Sequence, residues 1–167
     1  MDSKLHYSWN DFAADAEALA KAIEFSGKKF SKIFAIPNGG LPLGVCLVNR
    51  LKPKPELLLE NPLMEKVVES GRLIYRQLNP EVLKQRLILE NTLIVDDITD
   101  KGNVLLPFQE AGFYIVTIFR HPESKVCPQS WARTKSDGWI IFPWETDDSS
   151  AYDGTLEKID AEKDPPS

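Results

Sequence analysis

The spacing of apolar positions changes several times along the chain, and each change marks an element. Phe12, Ala16, Leu19 and Ile23 recur at helical spacing and make one apolar stripe. Ser8 stands before them as a cap, Asp11 follows three residues later, and Gly27 closes the pattern, which predicts a helix between Ser8 and Gly27. Lys32-Ile-Phe-Ala-Ile36 is a short apolar run suited to a buried strand, and it meets Pro37-Asn-Gly-Gly40, which must form a tight loop. Leu41 to Leu51 predicts a helix with Pro42 in its first turn, where the missing N–H costs nothing. Lys52-Pro-Lys-Pro55 breaks that helix, and Leu57-Leu-Leu59 predicts the next strand. Residues 60–90 mix charges and apolar side chains without a long clean period; a strand over Leu73-Ile-Tyr-Arg76 and a short helix from Pro80 to Arg86 are expected there. Thr92-Leu-Ile-Val95 predicts a buried strand, Asp96 to Asn103 a polar turn, and Val104 to Ala111 a helix shortened or kinked by Pro107 and stopped by Gly112. Phe113 to Phe119 is the strongest strand signal, residues 120–138 look mostly irregular, and Trp139-Ile-Ile-Phe142 predicts a last strand ended by Pro143.

Strands that are nearly continuous in apolar residues, alternating with helices, predict an α/β fold. The expected form is a single domain with a mainly parallel sheet and helices on both faces. The expected domain covers residues 1–145, with 60–90 as a small hood or mobile loop, and 146–167 as an acidic, flexible tail ending in Asp164-Pro-Pro-Ser167. In such sheets ligands bind beyond the carboxyl ends of the strands. The loops at 37–40 and 96–103 should therefore share one rim.

Composition narrows the function. A chain of 167 residues with a net charge of −5 is large enough for one core and lacks the basic balance of a nucleic-acid binder, though a local basic pocket is compatible with it. Cys46 lies in an apolar run, where a buried thiol is expected; with Cys127 far away and no C-x-x-C pair, neither a disulfide framework nor a zinc site is expected. Met1-Asp-Ser-Lys4 is not the basic start of a signal peptide, and the apolar runs fall short of the roughly 18 residues of a membrane span, so a cytoplasmic protein without a membrane span is expected.

The chemistry concentrates in Asp96-Asp97-Ile-Thr-Asp100-Lys-Gly102-Asn103. Three carboxylates so close raise one another's pKa unless a cation or hydroxyl donors relieve them. Adjacent carboxylates suit a ribose diol or a hard cation such as magnesium, and a loop through Gly102 into a helix can aim backbone N–H groups at a phosphate. A solvated acidic turn capping the helix at Val104 is the other reading.

Leu93 to Val104 resembles the phosphoribosyl pyrophosphate (PRPP) motif of type I phosphoribosyltransferases: an apolar strand, two acids, two apolar or small residues, then Asp and a glycine-bearing loop. Tyr7-Ser-Trp9, Ile33-Phe-Ala-Ile-Pro-Asn-Gly-Gly-Leu41, Val116-Thr-Ile-Phe119 and Trp139-Ile-Ile-Phe-Pro-Trp144 are similar, in order over residues 7–145, to the xanthine-guanine and hypoxanthine-guanine branch. The resemblance implies that Asp96 and Asp97 hold the ribose hydroxyls and Mg2+, and that Asp100 handles the proton on the base nitrogen. It gives Gly102, with the backbone of Lys101 and Asn103, to the 5′-phosphate. Gly39 and Gly40, with Asn38 beside them, would take the pyrophosphate, in a loop that in the family often holds a cis peptide, here between Pro37 and Asn38. Trp139 would stack on a purine, with Ile140 and His121 at its edge. It implies small-molecule substrates (PRPP and a purine base) and a homo-oligomer.

The departures are as specific as the matches. A basic residue is usual where this chain has Asn38, and hydroxyl residues where it has Lys101 and Val104. A lysine is usual where it has His121, within Arg120-His121-Pro122, and the Ser-Tyr pair of the family's mobile loop has no match in 60–90. Lys101 either restores a phosphate contact by charge or fills the cradle. Lys66, Arg72 and Arg76 are expected to be solvated charges rather than pyrophosphate ligands, and Trp144 to be core or interface rather than a ligand contact. Purine salvage with a 6-oxopurine is the expected activity. The alternatives are a catalytically weak PRPP- or nucleotide-binding regulatory protein on the same fold, or transfer to a different base.

Overall fold

The computed structural model describes residues 4–79, 81–82 and 91–146. At its centre is a five-stranded parallel sheet. In chain order its strands are β2 (Lys32–Ala35), β3 (Glu56–Leu58), β6 (Thr92–Thr99), β7 (Tyr114–Arg120) and β8 (Ser130–Thr134), and in space they run β3-β2-β6-β7-β8. Helices α1 (Trp9–Phe25) and α2 (Gly40–Arg50) follow β1 (Lys4–His6) and β2, and α3 (Leu106–Ala111) precedes β7. The antiparallel pair β4 (Met64–Glu69) and β5 (Arg72–Gln77) stands apart from the main sheet, as does the parallel pair of β1 with β9 (Trp139–Ile141).

Successive strand residues alternate between two cores. Ile33, Leu93, Val95, Val116 and Ile118 pack with Phe12, Leu19 and Ile23 of α1 and Leu43 and Leu47 of α2. Phe34, Ile94 and Ile115 pack with Phe108 of α3 and with Leu63 and Leu78, which flank the hairpin. Both sheet faces are thus covered, which is why these strands lack polar alternation. Each fully buried Leu or Ile contributes about 1.5–3 kcal/mol relative to leaving it exposed.

Local signals behave as expected at most boundaries. Ser8 caps α1 through a hydrogen bond from Asp11 N–H, and the reciprocal Asp11 contact completes a capping box. Gly112 ends α3 at φ +90°, a conformation suited to glycine. Arg133 on β8 bonds Asp11 at 2.9 Å and Asp15 at 2.6 Å, while Tyr7 donates to Asp15, tying the sheet edge to α1.

The structure corrects three expectations and adds detail to two others. Asp96 and Asp97 are not in a turn: β6 continues to Thr99 because β7 continues beside it, with Ile98 opposite Phe119 and Thr99 opposite Arg120. Residues 120–138 contain β8, an edge strand whose polar and charged residues conceal it. The last strand expected at Trp139 to Phe142 is present as β9, and it pairs with β1 instead of the main sheet. The hairpin partner β4 was masked by its charges, whereas the strand expected around Leu73 to Arg76 is β5. Cys46 is half-buried rather than buried. Of the helix expected from Pro80 to Arg86, only Glu81 and Val82 are described, and both are helical; its remainder and the tail from 147 lie outside the described residues.

Candidate functional site

The site grows from the adjacency of β2 and β6. Their register sets Ala35 opposite Val95, so the loop leaving β2 meets the acidic end of β6. The loop is held there by Ile36 N–H donating to the Val95 carbonyl at 2.8 Å and by Gly40 N–H donating to the Ile36 carbonyl at 2.9 Å. The approach is so close that only glycines fit. A Cβ on Gly39 would lie 2.1 Å from Asp97 Oδ2, and one on Gly40 would lie 2.4 Å from the Val95 carbonyl oxygen. The Pro37–Asn38 peptide is cis, at the bond singled out by the resemblance. Asn38 itself is exposed.

Asp96 and Asp97 are buried, at 8% and 9% exposure, which rules out a solvated acidic turn. Burial pushes the Asp96 carboxyl well above the usual range, and the neighbouring Asp97 charge adds to the effect. Burial likewise pushes Asp97 up, to about 6; the hydrogen bond from Asp96 opposes this rise and the charge of Glu145 adds to it. Asp97 N–H also donates to Asp96 Oδ1 at 2.9 Å.

A pair of desolvated, mutually repelling carboxylates fits a divalent cation that arrives with its own oxygen ligands. Magnesium typically takes one or two carboxylates plus substrate oxygens, and two carboxylates alone make no complete cage. Among the described residues no cluster of three or more His, Cys, Asp or Glu is arranged to hold a metal. Asp96 and Asp97 would thus hold a magnesium ion only together with oxygens of a polyhydroxy or phosphate ligand.

Beyond Thr99 the chain forms the second part of the rim. Asp100 is half-exposed, and its carboxylate accepts a hydrogen bond from Lys135 Nζ at 2.9 Å. Lys101, Asn103 and Val104 are exposed, while Gly102 is buried at φ +81°. A Cβ on Gly102 would lie 2.7 Å from Ser124 Oγ and 3.0 Å from Val126 N. Ser124 also bonds Thr99 at 2.6 Å, and Lys125 Nζ donates to Asn103 Oδ1 at 3.1 Å. The loop after β7 therefore braces the loop after β6. Lys101 and Lys125 lie in these two loops, Arg120 at the end of β7 and Lys135 just after β8, so four basic residues stand along the strand ends beside Asp100, Glu123 and Asp137.

His121 follows β7, with its N–H donating to the Thr99 carbonyl at 2.9 Å. Its Nδ1 accepts from Glu123 N–H at 3.2 Å, which leaves the proton of the neutral ring on Nε2, 4.0 Å from Asp137. Ile140 is buried and Trp139 half-buried, and the Trp139 indole nitrogen has no hydrogen-bond partner among the described residues. Trp139 shares a small recess of about 30 Å³ with Lys135 and Asp137. Trp144 is half-buried, stacking on Phe142 at 5.0 Å and packing against the core, as expected. Lys66 and Arg76 pair with Glu60 and Glu69 on the exposed hairpin, also as expected.

A cleft of about 310 Å³ opens between the hairpin and the strand ends, with Pro37 and Val104 in its walls. No charged side chain lines it, so it is a poor seat for a polyanion. Sequence reasoning missed Lys135, Ser124 and Lys125. All three lie in the stretch read as irregular, and finding β8 would have placed Lys135 at a strand end.

No family model matches the chain. It is 28% identical over 155 residues to a xanthine-guanine phosphoribosyltransferase of Gluconobacter oxydans, covering 85% of this chain and 86% of that one. Its fold is similar to that of a purine phosphoribosyltransferase from Pyrococcus horikoshii, with a TM-score of 0.62, 22% identity, and coverage of 86% of this chain and 95% of the other. It is also similar to the xanthine-guanine-hypoxanthine phosphoribosyltransferase of Helicobacter pylori, with a TM-score of 0.61, 19% identity, and coverage of 86% and 93%. In sequence the chain is similar to a xanthine-guanine phosphoribosyltransferase, and its fold is that of the type I phosphoribosyltransferases.

Proposed function

We propose that this protein transfers the 5-phosphoribosyl group of PRPP to a purine base and releases pyrophosphate. The carrying observation is the buried Asp96–Asp97 pair pressed against Gly39 and Gly40. That arrangement offers hydroxyl-accepting oxygens and close backbone approach at one point, as a ribose bearing a pyrophosphate requires.

In the reaction the bond from C1′ to the pyrophosphate oxygen breaks, and its electron pair leaves with pyrophosphate. A base nitrogen forms the new bond to C1′, and its proton passes to the Asp100 carboxylate. Asp96 and Asp97 orient the ribose hydroxyls and would hold magnesium, which when bound neutralises the leaving group. The backbone at Gly39 and Gly40 receives the pyrophosphate beside Asn38. The backbone from Lys101 through Gly102 to Asn103 receives the 5′-phosphate. Positive charge developing at C1′ is favoured by the nearby carboxylates, and positioning supplies the rest. Trp139 offers an aromatic face to the base, and Ile140 offers main-chain groups. The Nε2–H of His121 is a donor suited to a carbonyl oxygen, which favours a 6-oxopurine.

A second reading, a nucleotide-binding protein with little turnover, is favoured by Val104. It is 56% exposed at a phosphate-cradle position and can donate nothing. The test is mass-spectrometric detection of nucleotide after incubation with magnesium, PRPP and each of guanine, xanthine, hypoxanthine, adenine, uracil and orotate. The expected result is a 6-oxopurine nucleotide whose formation falls by about 100-fold or more, to a low but measurable rate, in Asp100→Asn. PRPP binding in calorimetry without product from any base would replace the enzyme by the second reading.

A further inference from the structure

We propose that Lys135 is a positioning residue for Asp100, setting from the end of β8 the geometry of the group that receives the base proton. This rests on the reading of Asp100 given above. Asp100 sits on the exposed loop after β6, and its carboxylate makes no other side-chain hydrogen bond among the described residues. Left alone, such a side chain would sample several rotamers. Lys135 removes that freedom, with Nζ 2.9 Å from Asp100 Oδ1.

Lys135 differs from an ordinary surface lysine in three ways. Its side chain is only 12% exposed, against 48% for Asp100, so the stem is already ordered and little entropy remains to be lost on pairing. Its backbone is fixed, because its N–H donates to the Arg120 carbonyl at 2.8 Å, one residue beyond the end of β8. An ammonium this enclosed also needs a carboxylate, and Asp100 is the one within ion-pair distance among the described residues. The pairing spans 35 positions in sequence and joins the ends of two strands separated in the sheet by β7.

Lys135 also stands four residues before Trp139, and the two line one recess. The segment that carries the aromatic face for the base therefore also carries the partner of the proton acceptor. Asp100 is located relative to the base rather than only to its own loop. A displacement of the acceptor by about 1 Å can cost on the order of 100-fold in rate, so the expected effect is on turnover rather than on substrate affinity.

The experiment is steady-state kinetics on the full chain as wild type, Lys135→Met, Lys135→Arg, Asp100→Asn and the Asp100→Asn/Lys135→Met double variant. Methionine keeps most of the apolar stem and removes the charge. Lys135→Met should lower kcat by about 10- to 100-fold with KM for PRPP and base within about 3-fold, and Lys135→Arg should recover most of the loss. The double variant should match Asp100→Asn within about 3-fold, because Lys135 acts only through Asp100. A purely structural lysine would instead add its loss to that of Asp100→Asn, and this outcome overturns the proposal. So does Lys135→Met within about 3-fold of wild type, or faster than it, the latter meaning that the lysine holds Asp100 out of the reaction. Lys135→Gln carries the same cycle if the methionine variant does not fold. Wild type that forms no nucleotide from any base overturns the transferase reading and this role together, whereas active wild type with an indifferent Lys135→Met overturns this role alone.

Discussion

The carboxyl ends of β2 and β6 and those of β7 and β8 share one rim but are built differently. At the inner end, Gly39 and Gly40 touch Asp97 and the Val95–Asp96 backbone with no room for a methyl group, and both carboxylates are buried. At the outer end, Lys101, Asn103 and Val104 face solvent, and Asp100 is half-exposed. The inner glycines and acids agree with the family pattern, and the departures at Lys101 and Val104 are exposed. Asn38, exposed at the tip of the inner loop, follows the same division. The contrast teaches that steric confinement holds the inner rim, where a change disturbs the strand pair itself, whereas the ligand contacts of the outer rim can change at little cost to the fold.

The sharpest way to break this contrast is Gly40→Ala. The new Cβ would meet a backbone carbonyl of β6 at 2.4 Å, and a strand held on both sides cannot yield as a side chain can. We expect a loss of about 3 kcal/mol in urea unfolding, at the upper end for overpacking. Gly39→Ala would press instead on the Asp97 carboxylate, which can rotate, so its stability loss should be smaller and its loss of PRPP binding should dominate. Gly40→Ala within about 0.5 kcal/mol of wild type would show that the inner rim is not sterically fixed.

The next prediction concerns charge at the same place. Burial raises the Asp97 carboxyl from 3.8 in the unfolded chain to about 6 in the folded protein. The native state therefore binds that proton more tightly than the unfolded state does. The stabilisation it provides is complete below about pH 4 and is lost as pH rises through about 6. Two pH units at about 1.4 kcal/mol each make this roughly 3 kcal/mol between pH 4 and pH 7.5, with Asp96 and Asp97 titrating as a pair. Asp97→Asn should flatten this slope and unfold about 1–2 kcal/mol later than wild type at pH 7.5, while losing transfer activity. A wild-type slope of zero across that window would mean the pair is better solvated than its burial indicates.

How much of this was legible in the sequence follows the same division. The inner rim was readable because confinement leaves marks: paired glycines after an apolar strand and paired acids at the end of another. What the sequence concealed was the extent of β6. Its last residues are polar, and polar residues within a strand resemble a turn unless the neighbouring strand is known to continue. β8 and β4 were lost for a related reason, since Arg133, Lys66 and Glu69 satisfy their charges through partners distant in sequence or across a turn. Lys135 was invisible as a consequence: a lysine in an irregular stretch carries no signal, whereas a lysine just past a strand end, beside the acid of another strand, does.

The smallest expected effect comes from the outer rim. Val104 is 56% exposed in the loop between Gly102 and α3, with nothing packed over it to resist a change of shape. Val104→Thr is nearly isosteric, and at an exposed position it should alter stability by less than about 0.5 kcal/mol. Its hydroxyl, however, can donate to a phosphate oxygen where valine offers none, and one hydrogen bond to a charged group contributes about 1.5–3 kcal/mol when well placed. Because the position is open to water, the gain should fall at or below the low end of that range, about 3- to 10-fold in PRPP affinity by calorimetry. An unchanged unfolding midpoint with tighter PRPP binding would confirm that the outer rim can be retuned without cost to the fold. A stability change above about 1 kcal/mol would instead show Val104 to be part of the core, and the two halves of the rim would not be independent.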